Sequence, residues 1–375
     1  MDRRTVGVEE ELLLVDPDTR EVTPRSHEVL ERAAAAADRG DVDRELFRHQ
    51  LEIRTEPVTE LTELRARLLD ARRAAEEAAG RVGLVTVASG TSLLTAGSPE
   101  ITRDDRYLDM LETYRGIARP AGTCGMHVHV RITTDEEGIA VIDGIAPWLP
   151  VLLAISANSP FYRGQDTGYA SWRAQLWSRW PSAGPTERFG TVERYREVGR
   201  RLIASGAARD PGMLYFDARL SADHPTVEVR VADVCTDPDD AVLVTALVRA
   251  LVEHTSRAAS GSSRAETVPR TEWRAELLRA AQWRASRYGL TSSLVHPVTG
   301  ENASARDVLD ALVGEVRDEL EEHGDLALVE DGTRRVLAAG GATRQRSAYE
   351  RNGGSLPAVV DDLVARTNPA GRSRA

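Results

Sequence analysis

Four segments of the chain each carry two polar side chains spaced two residues apart. They are Glu9 and Glu11 within Val6–Leu12, Glu52 and Arg54 within Leu51–Arg54, His127 and His129 within Met126–Val130, and Glu228 and Arg230 within Val227–Val231. Each segment has the composition of a β-strand, and on a strand side chains two apart point to one face. In the last three pairs the residue between is apolar, so the opposite face is expected to pack inward. Such strands would present carboxylates, imidazoles and guanidiniums together. Crowded carboxylates repel one another unless cations neutralise them. Several glutamates with an imidazole suit Mg²⁺ or Mn²⁺, and Mg²⁺ is commonly held by carboxylates together with substrate phosphates. Arginine forks add a grip on phosphate or carboxylate oxygens. The joint expectation is a phosphoryl-transfer site.

Each pair alone has a plainer reading. Glu9–Glu11 reads equally as a solvated acidic run, and Glu52/Arg54 and Glu228/Arg230 as ion pairs on exposed strands. His127 and His129 could belong to a zinc-dependent hydrolase, which needs a third protein ligand nearby. An acidic sheet face could also hold a cation structurally in a non-enzymatic binding module. The recurrence across four strands favours the joint reading. Between Phe161 and Gly190 lies a long stretch rich in Gly, Ser, Trp and Arg, and long loops in compact proteins are usually functional or disordered. There Arg173 or Arg179 could grip a substrate carboxylate and the tryptophans could wall a pocket, with the whole stretch a candidate lid. Asp217 and Arg219, again two apart, either extend the polar face or pair with each other. Cys124 and Cys235 read as small buried residues, having no activating base nearby in sequence.

These side chains need elements to hold them. Strands are expected over Thr5–Val15, Leu46–Thr55, Val82–Ala88, Thr123–Thr133, Met213–Leu220 and Thr226–Val231. Helices are expected over Ser26–Ala37, Glu60–Ala79, Asp105–Ile117, Asp135–Ile145, Trp148–Ala157 and Val192–Ser205. Helix 60–79 reads as charged and solvent-facing. From Asp239 helical segments follow one another to about Arg366. The expectation is one α+β catalytic unit over residues 1–375: a sheet-bearing site region to about 235, a helical part over about 239–366, and a tail over 367–375.

Composition excludes several classes. The chain of 375 residues has 41% hydrophobic residues, enough for a substantial core, and a net charge of −11, which argues against a general nucleic-acid binder. It contains no lysine. A P-loop needs a lysine on the phosphates and a pyridoxal enzyme needs one for its Schiff base, so neither applies. No apolar run was expected to reach the ~20 residues of a membrane span. With no signal-peptide pattern and two cysteines, the expected setting is the cytoplasm.

Gly7-Val8-Glu9-Glu10-Glu11-Leu12, Leu51-Glu52-Ile53-Arg54-Thr55, Gly125-Met126-His127-Val128-His129-Val130 and Thr226-Val227-Glu228-Val229-Arg230 occur in the order found in the glutamate–cysteine ligase type 2 family. Trp172–Gly184 is similar to that family's Arg/Trp/Pro/Gly segment. The resemblance runs from about Val6 into the helical C-terminal region. It implies a glutamine-synthetase-like fold, an antiparallel sheet funnel over Mg²⁺ (or Mn²⁺) and ATP. It implies phosphorylation of the γ-carboxylate of glutamate, followed by displacement of phosphate by an amine such as cysteine. Carried over by motif, Glu9, Glu11, Glu52, His127 and Glu228 are metal ligands, Arg230 and Arg219 meet the nucleotide's oxygens, and Arg230 and Arg173 serve the chemistry. The implied partners are small molecules, with no nucleic acid and no membrane; related enzymes suggest a homodimer. Two positions depart from the pattern. Ala121 cannot ligate where many members carry a polar metal ligand, and His129 stands where some carry asparagine.

Overall fold

The computed structural model describes residues 3–35, 42–95, 100–102, 104–118, 122–261 and 272–369. Ala121 and residues 370–375 of the expected tail lie outside them. The architecture is α+β. Its main sheet has seven antiparallel strands: β1 (Val6–Val15), β2 (Val42–Arg44), β3 (Gln50–Arg54), β4 (Val85–Val87), β5 (Gly125–Arg131), β8 (Ala218–Leu220) and β9 (Thr226–Asp233). The order is β2-β3-β1-β5-β9-β8, with β4 also paired to β1. Two hairpins stand apart, β6 (Phe161–Tyr162) with β7 (Gln165–Asp166), and β10 (Ser293–Val295) with β11 (Asn302–Ser304).

β1 shows how sequence sets this sheet. Up to Glu11 buried and half-buried residues alternate, and from Leu12 to Val15 every residue is buried. Its first half therefore has one face open to a cavity, and its second half is covered on both sides where β4 joins. Val6, Val8, Val128, Val130, Val227 and Val229 enter the main hydrophobic core with the long helix Pro238–Ala259. Asp237 caps that helix by accepting from the Asp239 amide, and Pro238 starts it where its missing N–H costs nothing.

The structure corrects several expectations. Helix Leu61–Gly80 is not a free charged helix, because Leu61, Leu64, Leu68, Arg72, Ala75, Ala78 and Ala79 form a buried stripe at three- and four-residue spacing. Arg72 within that stripe is wholly buried. Its Nε and Nη2 donate to the two carboxylate oxygens of Glu10 at 2.7 and 2.6 Å, and its other bonds reach the carbonyls of Cys235, Thr236 and Thr367. The expected strand Met213–Leu220 shortens to β8, since Pro211–Met213 forms a 3₁₀ turn whose Met213 amide donates to Asp210. The Phe161–Gly190 stretch is not structureless. It holds β6, β7 and the helix Trp172–Trp177, which Ser171 caps by accepting from Ala174 N. Asp135–Ser156 is, by length and composition, apolar enough to cross a membrane, against the reading from sequence, but 72% of its most apolar window is buried inside the protein. It is a core element, broken by the turn Ala146–Trp148.

Candidate active site

Strand register brings the polar pairs together. Glu9 lies opposite Arg54 on one side and His127 on the other, Glu11 lies opposite Glu52, and Glu228 lies opposite both His129 and Arg219. Between β5 and β9 the register slips, with Met126 facing Ala232 but Val128 facing Val229, so Arg230 and Val231 share the space opposite His127. Such a bulge re-aims side chains. Glu9, Glu11, Glu52, His127, His129, Arg219, Glu228 and Arg230 all line one cavity of about 300 Å³. Trp177, Trp180 and Tyr215 wall it, as the sequence led us to expect of the tryptophans. These rings pack on one another at centroid distances of 4.7–6.4 Å, which fixes the wall.

Two groups of three potential cation ligands converge, each with its ligand atoms within 4.8 Å of one another: Glu9, His129 and Glu228, and Glu11, Glu45 and Glu52. In the first, His129 Nδ1 lies 2.9 Å from Thr226 Oγ1, and its buried Nε2 lacks a hydrogen-bond partner 3.6 Å from Glu9 Oε1. That is the arrangement of a ligating imidazole, with one nitrogen fixed by a neighbour and the other free for a cation. His127 is on the same wall, but its Nδ1 is engaged with Glu9 Oε2 at 3.0 Å and stands 3.7 Å from Glu228 Oε1. Both imidazoles thus face Glu9 and Glu228, His127 through a nitrogen already engaged with Glu9 and His129 through one without a hydrogen-bond partner.

In the second group Glu11 is fixed by the Gly125 amide, which donates to its Oε2 at 2.7 Å. Glu45 was missed by sequence reasoning. It lies outside any strand, two residues before Phe47, and carries no spacing signal.

The two groups differ electrostatically. Burial alone would raise the Glu9 carboxyl, but the hydrogen bond with His127 and the nearby imidazoles of His127 and His129 hold it well below the usual range. Burial opposes ionisation of Glu228 too, and Arg230 and Arg219 outweigh it. Burial and the charges of Glu11 and Glu52 push Glu45 up to about 8. Burial and the Glu9 charge push Glu52 up to about 7, although Arg54 lies 2.5 Å from its Oε1. The second group lacks the positive charge it needs, and an all-carboxylate donor set fits Mg²⁺ or Mn²⁺.

The arginines divide. Arg219 Nε donates to Glu228 Oε2 at 2.7 Å, and Arg230 Nη1 pairs with Glu228 Oε1. Arg230 Nε is buried without a hydrogen-bond partner, so a donor remains for an incoming oxyanion. Arg173 is not in this cavity. It lies behind Arg230, donating to the carbonyls of Val231 and Arg230 at 3.3 and 3.2 Å, and it lines a smaller recess. A Cβ on Gly125 would collide with its guanidinium, which explains the glycine there. Asp217 does not pair with Arg219. Its carboxylate accepts from Gln282 Nε2 of the helix Ala275–Tyr288. Both cysteines are buried and free.

The model of glutamate-cysteine ligase family 2 (GCS2) matches residues 5–364. A Nocardioides sp. protein provisionally named glutamate–cysteine ligase 2-1 is 55% identical over 374 residues, covering 97% of this chain and 96% of that protein. A Streptomyces avermitilis protein of the same provisional name is 47% identical over 375 residues, covering 97% and 99%. Among solved structures, a bifunctional glutathione synthetase from Pasteurella multocida superposes with TM-score 0.71 at 15% identity. The match covers 98% of this chain and 52% of that one, so the chain spans about half its length. The glutamate–cysteine ligase of Francisella tularensis, solved with AMP, superposes with TM-score 0.66 at 13% identity, covering 99% and 89%. The glutamine-synthetase-like sheet fold is common to them.

Proposed function

The chain belongs to glutamate-cysteine ligase family 2 and is an ATP-dependent carboxylate-amine ligase, and we propose that its donor is the side-chain carboxylate of glutamate. The observation that carries this reading is the convergence of two groups of potential cation ligands and two arginines on one cavity walled by aromatic rings. Glu9, His129 and Glu228 would hold one Mg²⁺, and Glu11, Glu45 and Glu52 a second, with His127 orienting Glu9. Bound Mg²⁺ supplies charge neutralisation of the phosphates, lowering the repulsion between two anionic reactants.

The chain's own residues do the rest. Arg230 and Arg219 offer donors to the transferring phosphoryl group, whose charge is spread over its oxygens. A γ-carboxylate oxygen attacks the terminal phosphorus and ADP leaves. The amine nitrogen then attacks the acyl carbon, the C–O bond to phosphate breaks, and an amide forms with loss of a proton. The acyl phosphate must be kept from water, which is the work of the Trp177, Trp180 and Tyr215 wall. Cysteine is the acceptor the family's description points to, and the cytoplasm, where thiols stay reduced, is the setting in which we place it.

The zinc-hydrolase alternative is not favoured by the family match, and the triad that forms contains one imidazole and two carboxylates. The test is ADP release with Mg²⁺ and glutamate across a panel of amines, with mass analysis of products. A γ-glutamyl amide is the expected product. Glutamate-independent ATP hydrolysis, or metal-dependent hydrolysis without ATP, would overturn the reading.

A further inference from the structure

Strand β9 carries both Glu228 and Arg230, and just past them its register against β5 slips, so Arg230 and Val231 exceed the ladder by one residue. In a regular strand successive carbonyls point to opposite edges. At this bulge one guanidinium reaches two in a row. Arg173 Nη2 donates to the Arg230 carbonyl at 3.2 Å, and Nη1 donates to the Val231 carbonyl at 3.3 Å. Buried carbonyls displaced from a ladder need another donor, and Arg173 supplies it to both.

The guanidinium is itself held in place. Asp233 is wholly buried and accepts from the Asn158 amide at 2.8 Å and from the hydroxyls of Ser159 and Ser171 at 2.7 Å each. So fixed, its Oδ1 stands 3.9 Å from Arg173 Nη1. The Ser159 hydroxyl also accepts from the Arg173 amide at 3.0 Å, and the Trp177 ring faces the guanidinium at 5.7 Å. Gly125 closes the remaining side. A Cβ there would fall within 3.0 Å of three guanidinium atoms, yet the Gly125 backbone is not left-handed, so the glycine serves the close approach and not a turn. The Gly125 amide meanwhile donates to Glu11, tying a potential cation ligand to the same seat.

Arg173 does not face the reactants. It is 3% exposed, the main cavity is lined without it, and the recess beside it, of about 30 Å³, has room for about one water. Arg230 does face them, held between Glu228 and the Tyr215 ring.

We infer that Arg173 is a positioning residue: by clamping the β9 bulge it aims Arg230 at the phosphoryl oxygens. The inference rests on the ligase reading and deepens it. A donor that stabilises transferring charge acts only where it is aimed, and a misplacement of about 1 Å costs up to about 10²-fold in rate.

The experiment measures ADP release by wild type, Arg173→Gln, Arg230→Gln and the double variant, with glutamate, amine and MgATP varied in turn. Arg173→Gln should lower kcat roughly 10–100-fold, with every KM held within about twofold. In the Arg230→Gln background the same change should cost less than about twofold, because both act through one side chain. Arg173→Lys, which keeps a donor and the charge beside Asp233, should recover part of the loss. A raised KM for one substrate, or an undiminished loss in the Arg230→Gln background, would overturn the inference. Should Arg173→Gln fail to fold, Gly125→Ala takes its place in the same comparison. It keeps every charge and displaces the guanidinium, so it must lower kcat alone and not in the Arg230→Gln background. Heteronuclear NMR of the Arg230 Nε–H, assigned by its loss in Arg230→Gln, tests the geometry without turnover. The signal should shift or broaden in Arg173→Gln, and an unmoved signal defeats the positioning role. Wild type that releases no ADP with any amine defeats the ligase reading instead.

Discussion

The two faces of β1 treat neighbouring glutamates in opposite ways. Glu10 points to the back, where it is wholly buried and forms a two-armed pair with Arg72, whose remaining donors are all taken by backbone carbonyls. Glu9 and Glu11 point to the front, beside Glu45, Glu52 and Glu228, where carboxylates outnumber the cations facing them. The back face is electrically complete and does nothing but hold the helix Leu61–Gly80 to the sheet. The front face is incomplete, and its Glu45 and Glu52 carboxyls resist ionisation as a result. A site that leaves charge unbalanced is one built for ligands that bring the balance with them.

The comparison breaks most visibly if front-face charge is removed. Glu52→Gln and Glu228→Gln should each reduce ATP turnover to background, measured by ADP release; Glu52→Gln should melt in urea close to wild type, whereas Glu228→Gln leaves Arg230 and Arg219 without their carboxylate and should unfold earlier. Arg230→Gln should lower kcat by roughly 10²–10³-fold through lost stabilisation of the phosphoryl oxygens. Substitution on the back face should do the reverse. Glu10→Gln leaves Arg72 buried without a counter-charge and should cost about 3–5 kcal/mol of stability by urea unfolding, while protein that remains folded should bind Mg²⁺ as wild type does, read by calorimetry.

A gentler test uses pH. In the folded, cation-free protein Glu45 and Glu52 keep protons that the unfolded chain has already released. Their contribution to stability is therefore largest below the ordinary value of 4.5 and is lost as pH rises through about 7 and about 8. Melting of EDTA-treated protein should follow that slope, and Mg²⁺ should stabilise more at the alkaline end; a flat profile would show the front face to be balanced already. The smallest effect is expected at Arg54, half-exposed and bridging Glu9, Glu52 and Asp43. It competes with a cation, so Arg54→Gln should tighten Mg²⁺ by roughly 0.2–1 kcal/mol, read by calorimetry.

Much of this was legible in the sequence because a strand's period of two writes its facing onto the chain. Glu9 with Glu11, His127 with His129 and Glu228 with Arg230 could be placed on one surface from spacing alone. What spacing cannot say is which nitrogen of the two histidines stays open: His127 Nδ1 is engaged with Glu9, while His129 Nδ1 is engaged with Thr226 and its Nε2 has no hydrogen-bond partner. Glu45 has no periodic partner, and the chain's path before β3 alone delivers it. Asp217 and Gln282 come together across 65 residues, from a sheet edge and a C-terminal helix. Arg72 misled for the same reason: on a helix crowded with charges, its burial is set by the position of Glu10 across the interface.

The most direct measurement is Mn²⁺ binding followed by electron paramagnetic resonance, on wild type and on Glu52→Gln and Glu228→Gln, each with a non-hydrolysable ATP analogue. The account predicts two bound ions per chain in wild type, one for each group of ligands, with each variant losing a different one. Equal binding in all three proteins, or none in wild type, would contradict it.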